Sequence, residues 1–280
     1  MNPISKTAYY CCGVRMEDAE RAPSLCNDRY ARRFMNEDGL RIYEPFRTEL
    51  LPNISNVVRC RIIDDLVQGE MAGNRDARVV TIGAGLDTRP YRLRGGEWYE
   101  IDEPQLIAYK GERLPVAESP NPLTRLPLDF ANGSLAERLR AVPADGHIVV
   151  IIEGVFMYLD PGAIAATLRA LGEIFPRHIL LCDLMNRGFF ERFGGSVHAK
   201  IVAMGARFAE RPVDPAAMFV EHGYASTAEV PVFRRALELG VLWQRARIPG
   251  VIARIVLAAV KDLSGFAVRR FVRVHGGLDG

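Results

Sequence analysis

From residue 78 onward, short apolar runs alternate with amphipathic stretches. The runs VVTI, IVVII and HILLC are almost continuously β-branched or aliphatic. Central parallel strands covered on both faces need that composition. Seven strands are predicted, at 78–82, 98–101, 123–128, 147–153, 178–183, 226–230 and 266–274. Helices fit between them at 104–114, 134–141 and 161–175. The last of these sets Ile164, Leu168 and Leu171 on one face and has Pro161 in its first turn. This order predicts a doubly wound α/β sheet.

Two stretches stand outside the alternation. The first 75 residues read as helical. Residues 28–35 place Tyr30, Ala31, Phe34 and Met35 on one face. Residues 55–71 place Val58, Ile62, Ile63 and Leu66 at helical spacing, with Asp64 and Asp65 turned outward. The second stretch, 186–223, carries Phe189, Phe190, Phe193, Met204 and Phe208. Both extras can cover the strand ends, where open α/β sheets bind ligands. The expected organisation is one domain over 1–280, with a helical N-terminal lid over 1–75 and a helical insertion over 186–223 on the substrate side. The run GVIARIVLAAV at 250–260 contains Arg254 and is too short to span a bilayer. A buried helix is expected there.

Charge narrows the partners. The 280 residues hold 36 Lys and Arg against 34 Asp and Glu, a net charge of +2. Basic and acidic residues alternate, so a dedicated nucleic-acid binder is not expected. Arg269, Arg270 and Arg273 gather near the end and are expected on a solvated strand face. The start, MNPISKTAYY, lacks the apolar core of a leader. Cys11, Cys12, Cys26, Cys60 and Cys182 fit neither a disulfide framework nor a metal spacing. Reduced, packed thiols in a cytoplasmic protein are expected, with no metal and no membrane partner. Oligomeric state stays open.

The candidate chemistry begins at VVTIGAGLDTRPYRL, residues 79–93. A strand running into Gly83-Ala84-Gly85 lets backbone approach a ligand closely. A dinucleotide fold needs a third glycine so that pyrophosphate can sit on the helix N-terminus. Thr88 occupies that place. Asp87 and Thr88 also suit capping of the next helix. The following strand, WYEID, ends at Asp102, placed to accept hydrogen bonds from a ribose diol. Glycine turn and ribose acid without a phosphate element point to a nucleoside, and S-adenosyl-L-methionine is the common one. NAD stays open on these two features alone, as does a turn that binds nothing.

The strings GAGLDTRPYRL, YEIDEPQLIAYK, LPLDF and EGVFMYL resemble the leucine carboxyl methyltransferase family. The likeness runs from SKTAYYCCGVRMEDA to EHGY and is nearest to the bacterial branch with the tetracenomycin-type polyketide O-methyltransferases. It implies a class I methyltransferase (Rossmann-like) fold with a seven-stranded sheet. S-adenosyl-L-methionine would be the methyl donor and S-adenosyl-L-homocysteine the product. By this resemblance Gly83, Ala84 and Gly85 line the methionine part of the cofactor, and Asp102 holds the ribose. Leu128 and Asp129 lie beside adenine, and Glu153 lies near the amino end. Lys6 and Arg59 meet the cofactor carboxylate, which needs a cation when buried. Arg61 competes with Arg59 in the triplet RCR, and a solvated surface lysine fits Lys6 equally well.

Methyl transfer from a sulfonium is in-line displacement, so the protein's task is alignment. The family implies a carboxylate acceptor on a small molecule, such as a secondary metabolite. A carboxylate is already ionised at pH 7 and needs no general base. No His–Asp or Cys–His pair stands out among His147, His178, His198, His222 and His275. His147 and His178 begin strands and are expected to be structural. His198, in the insertion, is the candidate base if the acceptor is instead a phenol, another hydroxyl or an amine. Tyr158, just past the fourth strand, fits a substrate-facing or a core aromatic. An NAD(P)-dependent oxidoreductase and a non-catalytic cofactor-binding protein are the remaining alternatives.

Overall fold

The computed structural model describes residues 1–273. Val274, the last residue of the seventh predicted strand, and His275 lie outside the described residues.

The N-terminal region folds as α1 (Pro3–Ala19), α2 (Ala31–Phe34), α3 (Glu37–Tyr43) and α4 (Leu50–Gly73). Asn2 caps α1 by accepting from Ser5 N at 2.7 Å, and Pro3 sits in the first turn. The helix expected over 28–35 shrinks to the four residues of α2, because Asp28 leaves the helical path. Its carboxylate takes the Ala31 N–H and two partners from elsewhere in the chain. Asp64, expected outside on α4, is buried at 5% exposure. Two guanidiniums inside the protein compensate its charge, which hydrophobic periodicity does not register. Asp65 does face outward, towards Arg61 and Arg235.

Strands and helices then alternate: β1 (Arg78–Ile82), α5 (Arg89–Arg92), β2 (Glu97–Asp102), α6 (Pro104–Arg113), β3 (Leu123–Pro127), α7 (Leu135–Leu139), β4 (Ile148–Ile152), α8 (Pro161–Ile174) and β5 (Ile179–Met185). After β5 come α9 (Arg187–Phe193), α10 (Gly195–Ala203) and α11 (Ala217–Glu221). The described residues close with β6 (Tyr224–Pro231), α12 (Val232–Glu238), α13 (Val241–Ala246), α14 (Gly250–Ala259) and β7 (Phe266–Arg273).

One seven-stranded sheet runs in the order β3-β2-β1-β4-β5-β7-β6. The first five pair in parallel, and β7 enters antiparallel between β5 and β6. The apolar runs are continuous because both faces are covered. Val79, Val149, Ile151 and Leu181 pack beneath the N-terminal helices. Val80, Ile82, Val150, Ile152 and Leu180 pack on the other side with Leu168 and Leu171 of α8. Each such burial contributes about 1.5–3 kcal/mol.

His147 and His178 are structural, bonded to Glu70 and to Phe175 O with Tyr224 OH respectively. The terminal arginines, expected on a solvated face, are largely covered by their partners: Arg269 by Glu229, Arg270 by Glu70, and Arg273 over the Tyr224 ring. No described helix is long and apolar enough to cross a membrane.

The run at 250–260 does form a helix, α14, but it is not buried. Within α14 only Ala253 is buried, while Val251, Ile252, Ile255 and Val256 face solvent. Periodicity shows that a helix has an apolar face and not whether anything covers it.

Candidate functional site

A cavity of about 760 Å³ opens above the C-terminal ends of β1, β2 and β4. Open α/β sheets bind ligands at that place. The N-terminal helices and the insertion wall it in, through Ser5, Thr7, Cys11 and Arg15 of α1, Asn56 and Arg59 of α4, and Phe189, Phe193 and Val197 beyond β5. Glu49 bonds both Ser196 and Lys200, joining the segment before α4 to α10 at the rim.

Its floor is the glycine turn. Gly83 and Gly85 hold φ of +67° and +51°, in the left-handed region that favours glycine. A Cβ on Gly83 would run into Val155 Cγ2. The Gly83 and Ala84 N–H groups donate to Ile101 O at 2.9 and 3.2 Å, folding the turn back over the end of β2. There Asp102 accepts from Gly85 N at 2.6 Å and from Glu103 N at 2.7 Å. Burial pushes its carboxyl up to about 6, against the pull of those two N–H groups. A carboxylate has about four acceptor positions, so two stay available to a diol.

Behind the turn lies a buried ion network. Arg89 donates to Asp64 at 2.6 Å and to Asp87 at 2.7 Å, and approaches Glu153 at 2.7 Å. Arg59 donates to Glu153 at 2.9 Å and to Asp183 at 3.0 Å. Arg15 and Thr88 converge on Asp28 at 2.9 and 2.7 Å. Burial works to raise the Glu153 carboxyl, but Arg89 and then Arg59 outweigh it and hold it low. Burial raises the Asp183 carboxyl, offset in part by Arg59. Thr88 is therefore not a side-chain cap: its hydroxyl belongs to Asp28, and only Asp87 takes a first-turn N–H, that of Arg89 at 2.9 Å.

The sequence candidates separate by position. Arg59, Gly83, Ala84, Gly85, Asp102, Leu128, Glu153 and Tyr158 all line the cavity. Arg61 points away and pairs with Asp65 at 2.7 Å, so of the two arginines in the triplet Arg59 is the one that faces the cavity. Lys6 is not brought there. It is exposed on the outer side of α1, while its neighbours Ser5 and Thr7 face in. Asp129 is also turned out, because its carboxylate closes its own turn by accepting from Ala131 N, Asn132 N and Asn132 Nδ2. Phe130, next in sequence, lines the wall instead. His198 lies behind the wall, stacked on Phe208 at 5.2 Å with its Nε2 unpartnered. Tyr158 stands edge-on to Phe208 at 5.1 Å, and burial raises its phenol. Arg15, Asp28 and Asp183 were not singled out as site residues in the sequence, Asp64 was expected outside, and Arg89 was expected to pair with a carboxylate that the sequence does not identify. Of the first three only Asp183 had a signal, as an acid ending an apolar strand run in the manner of Asp102.

The polar end suits the amino-acid portion of S-adenosyl-L-methionine. Arg59 Nη2 has only Cys11 Sγ nearby, at 3.9 Å, leaving donor capacity towards the cavity. Asn56 Oδ1 and Thr81 Oγ1 are buried without partners, and both residues lie on the wall. Unpaired polar atoms there are costly until a ligand satisfies them.

Known proteins are similar to this chain in sequence and in fold. A methyltransferase of Streptomyces coelicolor, named as S-adenosyl-L-methionine-dependent, is 28% identical over 244 residues, covering 79% of this chain and 83% of its own. One from Streptomyces avermitilis is 28% identical over 240 residues, covering 78% and 82%. Among solved structures, a DUF574-family protein from Streptomyces avermitilis has a TM-score of 0.59 at 14% identity, over 88% of this chain and 95% of that one. The magnesium protoporphyrin IX methyltransferase ChlM of Synechocystis, with bound SAH, has a TM-score of 0.51 at 14% identity, over 87% and 98%. The sheet order and relatives define an S-adenosyl-L-methionine-dependent methyltransferase of the class I fold. More narrowly, the leucine carboxyl methyltransferase model matches residues 11–172, and the chain belongs to that family.

Proposed function

We propose that this methyltransferase esterifies a carboxylate on a small, largely apolar acceptor, a polyketide or another secondary metabolite. When bound, S-adenosyl-L-methionine supplies a methyl group on a sulfonium. The assigned binding set is Arg59 for the carboxylate, with Glu153 and Asp183 fixing its guanidinium. Asp102 takes the ribose hydroxyls, Leu128 packs beside the base, and Gly83-Ala84-Gly85 allow close backbone approach.

One observation carries the acceptor assignment: the composition of the other end of the cavity. Met185, Phe189, Phe193, Phe208, Phe233 and Phe266 form that wall. No described histidine lines it, and Glu49 at the rim is already bonded to Lys200 and Ser196. An acceptor ionised beforehand needs no base, and the aromatic wall suits an apolar body. Tyr158 keeps its proton and can donate to an acceptor oxygen. The N-terminal helices and the insertion act as covers that exclude water from the aligned reactants.

The test is methylation of a panel of aromatic and aliphatic acids with methyl-labelled cofactor. Mild alkali should release the label as methanol, the behaviour of a methyl ester. Alkali-stable label, or label transferred only to phenols or amines, overturns the carboxylate assignment.

A further inference from the structure

Outside the cavity, residues 239–261 carry a surface that methyl transfer does not use. Val251, Ile252, Ile255 and Val256 of α14 are 70, 51, 62 and 41% exposed. At a step of 100° per residue they share one arc of about 140°. Arg254 stands about 60° outside one edge of that arc. Trp243 on the neighbouring α13 is 52% exposed. Five large apolar side chains facing water so close in sequence mark an interaction surface rather than scattered exposure.

Charge indicates the partner. The stretch 239–261 contains Arg245, Arg247, Arg254 and Lys261 and no acidic residue. Arg245 is paired with Asp18. Arg247, Arg254 and Lys261 are exposed and make no ion pair among the described residues. The next acid, Asp262, faces Arg192 at 3.5 Å. A two-fold contact with a second copy would set this patch against itself and bring like charges together. An anionic surface with an apolar interior satisfies both halves of the pattern.

We propose that α14, with Trp243, docks on an anionic lipid surface. The four aliphatic side chains and the indole enter the boundary between headgroups and acyl chains, and Arg247, Arg254 and Lys261 meet lipid phosphates. The helix lies in the interface and does not span it. It runs on directly into Leu263 and Phe266, which line the cavity, so this surface and the acceptor end share one segment.

The experiment is co-sedimentation of the full chain with phosphatidylglycerol or phosphatidylcholine vesicles. Phosphatidylglycerol vesicles should retain the protein, about tenfold better than phosphatidylcholine. The double variant V251S/I255S should reduce retention about tenfold, and R247E/R254E should abolish the preference for phosphatidylglycerol. S-adenosyl-L-homocysteine binding by calorimetry verifies that the variants are folded. Should they fail to fold, wild-type fluorescence reports instead. Trp98 is buried, so a blue shift on adding vesicles arises at Trp243. Absence of retention and of the shift overturns the proposal, as does retention unchanged by both variants. A solution dimer dispersed by V251S/I255S assigns the surface to a second copy and overturns it too.

Discussion

Arg89 Nη1 stands 2.7 Å from Glu153 Oε2, fastening the helix after the glycine turn to the end of β4. The same guanidinium holds Asp64 of α4 and Asp87 of the turn. One buried cation thus fixes three parts of the cavity floor relative to each other. Its surroundings hold it protonated, with Asp87, Glu153 and Asp64 together outweighing the cost of burial.

Replacing that cation removes the ion-pair partner of Asp87 and leaves Asp64 and Glu153 with one guanidinium each, Arg92 and Arg59. Arg89→Met is expected to destabilise the fold by about 3–5 kcal/mol, the usual cost of breaking a buried ion pair on one side. Denaturant unfolding measures it, and a loss below about 1 kcal/mol would show that solvent or Arg92 takes over the role.

Arg59 and Lys6 make opposite forecasts. Arg59→Gln should weaken S-adenosyl-L-homocysteine binding by about 2–3 kcal/mol, the scale of a hydrogen bond to a charged group. Lys6→Ala should change it less than about twofold, since an exposed charge facing solvent contributes little. Calorimetry with 5′-methylthioadenosine, which lacks the amino-acid end, should show no difference between Arg59→Gln and the wild type. A large effect at Lys6 would place the cofactor carboxylate outside α1.

Asp102 gives the cofactor site a pH dependence. With its carboxyl near 6, it is ionised at pH 7.5 and mostly protonated at pH 5. A protonated carboxyl has less capacity to accept the ribose hydroxyls. Affinity for S-adenosyl-L-homocysteine should therefore fall about tenfold between pH 7.5 and pH 5. Asp102→Asn should bind weakly throughout and lose the step. A step of equal size in the variant would place the titrating group elsewhere.

His178 acts on stability instead. Burial lowers its imidazole to about 4. The folded state binds the proton less readily than the unfolded chain, whose histidine titrates near 6.5. Stability is fully present above about 6.5 and lost as pH falls towards 4, by up to about 3 kcal/mol. Unfolding of wild type and His178→Gln between pH 7 and pH 4 should show the gap between them narrowing as pH falls.

The sequence made the sheet legible because each strand is an apolar run bounded by turn residues, down to the run that became β4. Gly83, Gly85 and Asp102 were legible for a related reason, since strand ends and φ requirements are local properties. Arg89 was not. Its partners Asp64 and Glu153 lie 25 and 64 positions away, and no local pattern reports a salt bridge across layers. Periodicity misplaced Asp64 because a buried carboxylate and a solvated one look alike in a helix. It misplaced α14 because exposure is decided by neighbours. The orientation of Asp129 was settled within a single turn, where its carboxylate meets its own backbone and faces away from the cavity.

Arg59 bonds Asp183 across 124 positions of chain. The cation assigned to the cofactor therefore gains its second anchor only after β5 has been synthesised. A nascent chain that has made β1 and β2 already carries the glycine turn and Asp102, yet lacks the brace that aims Arg59. With Arg59 in its proposed role, the site is structurally complete only once the fifth strand is in place, and the first two strands do not suffice.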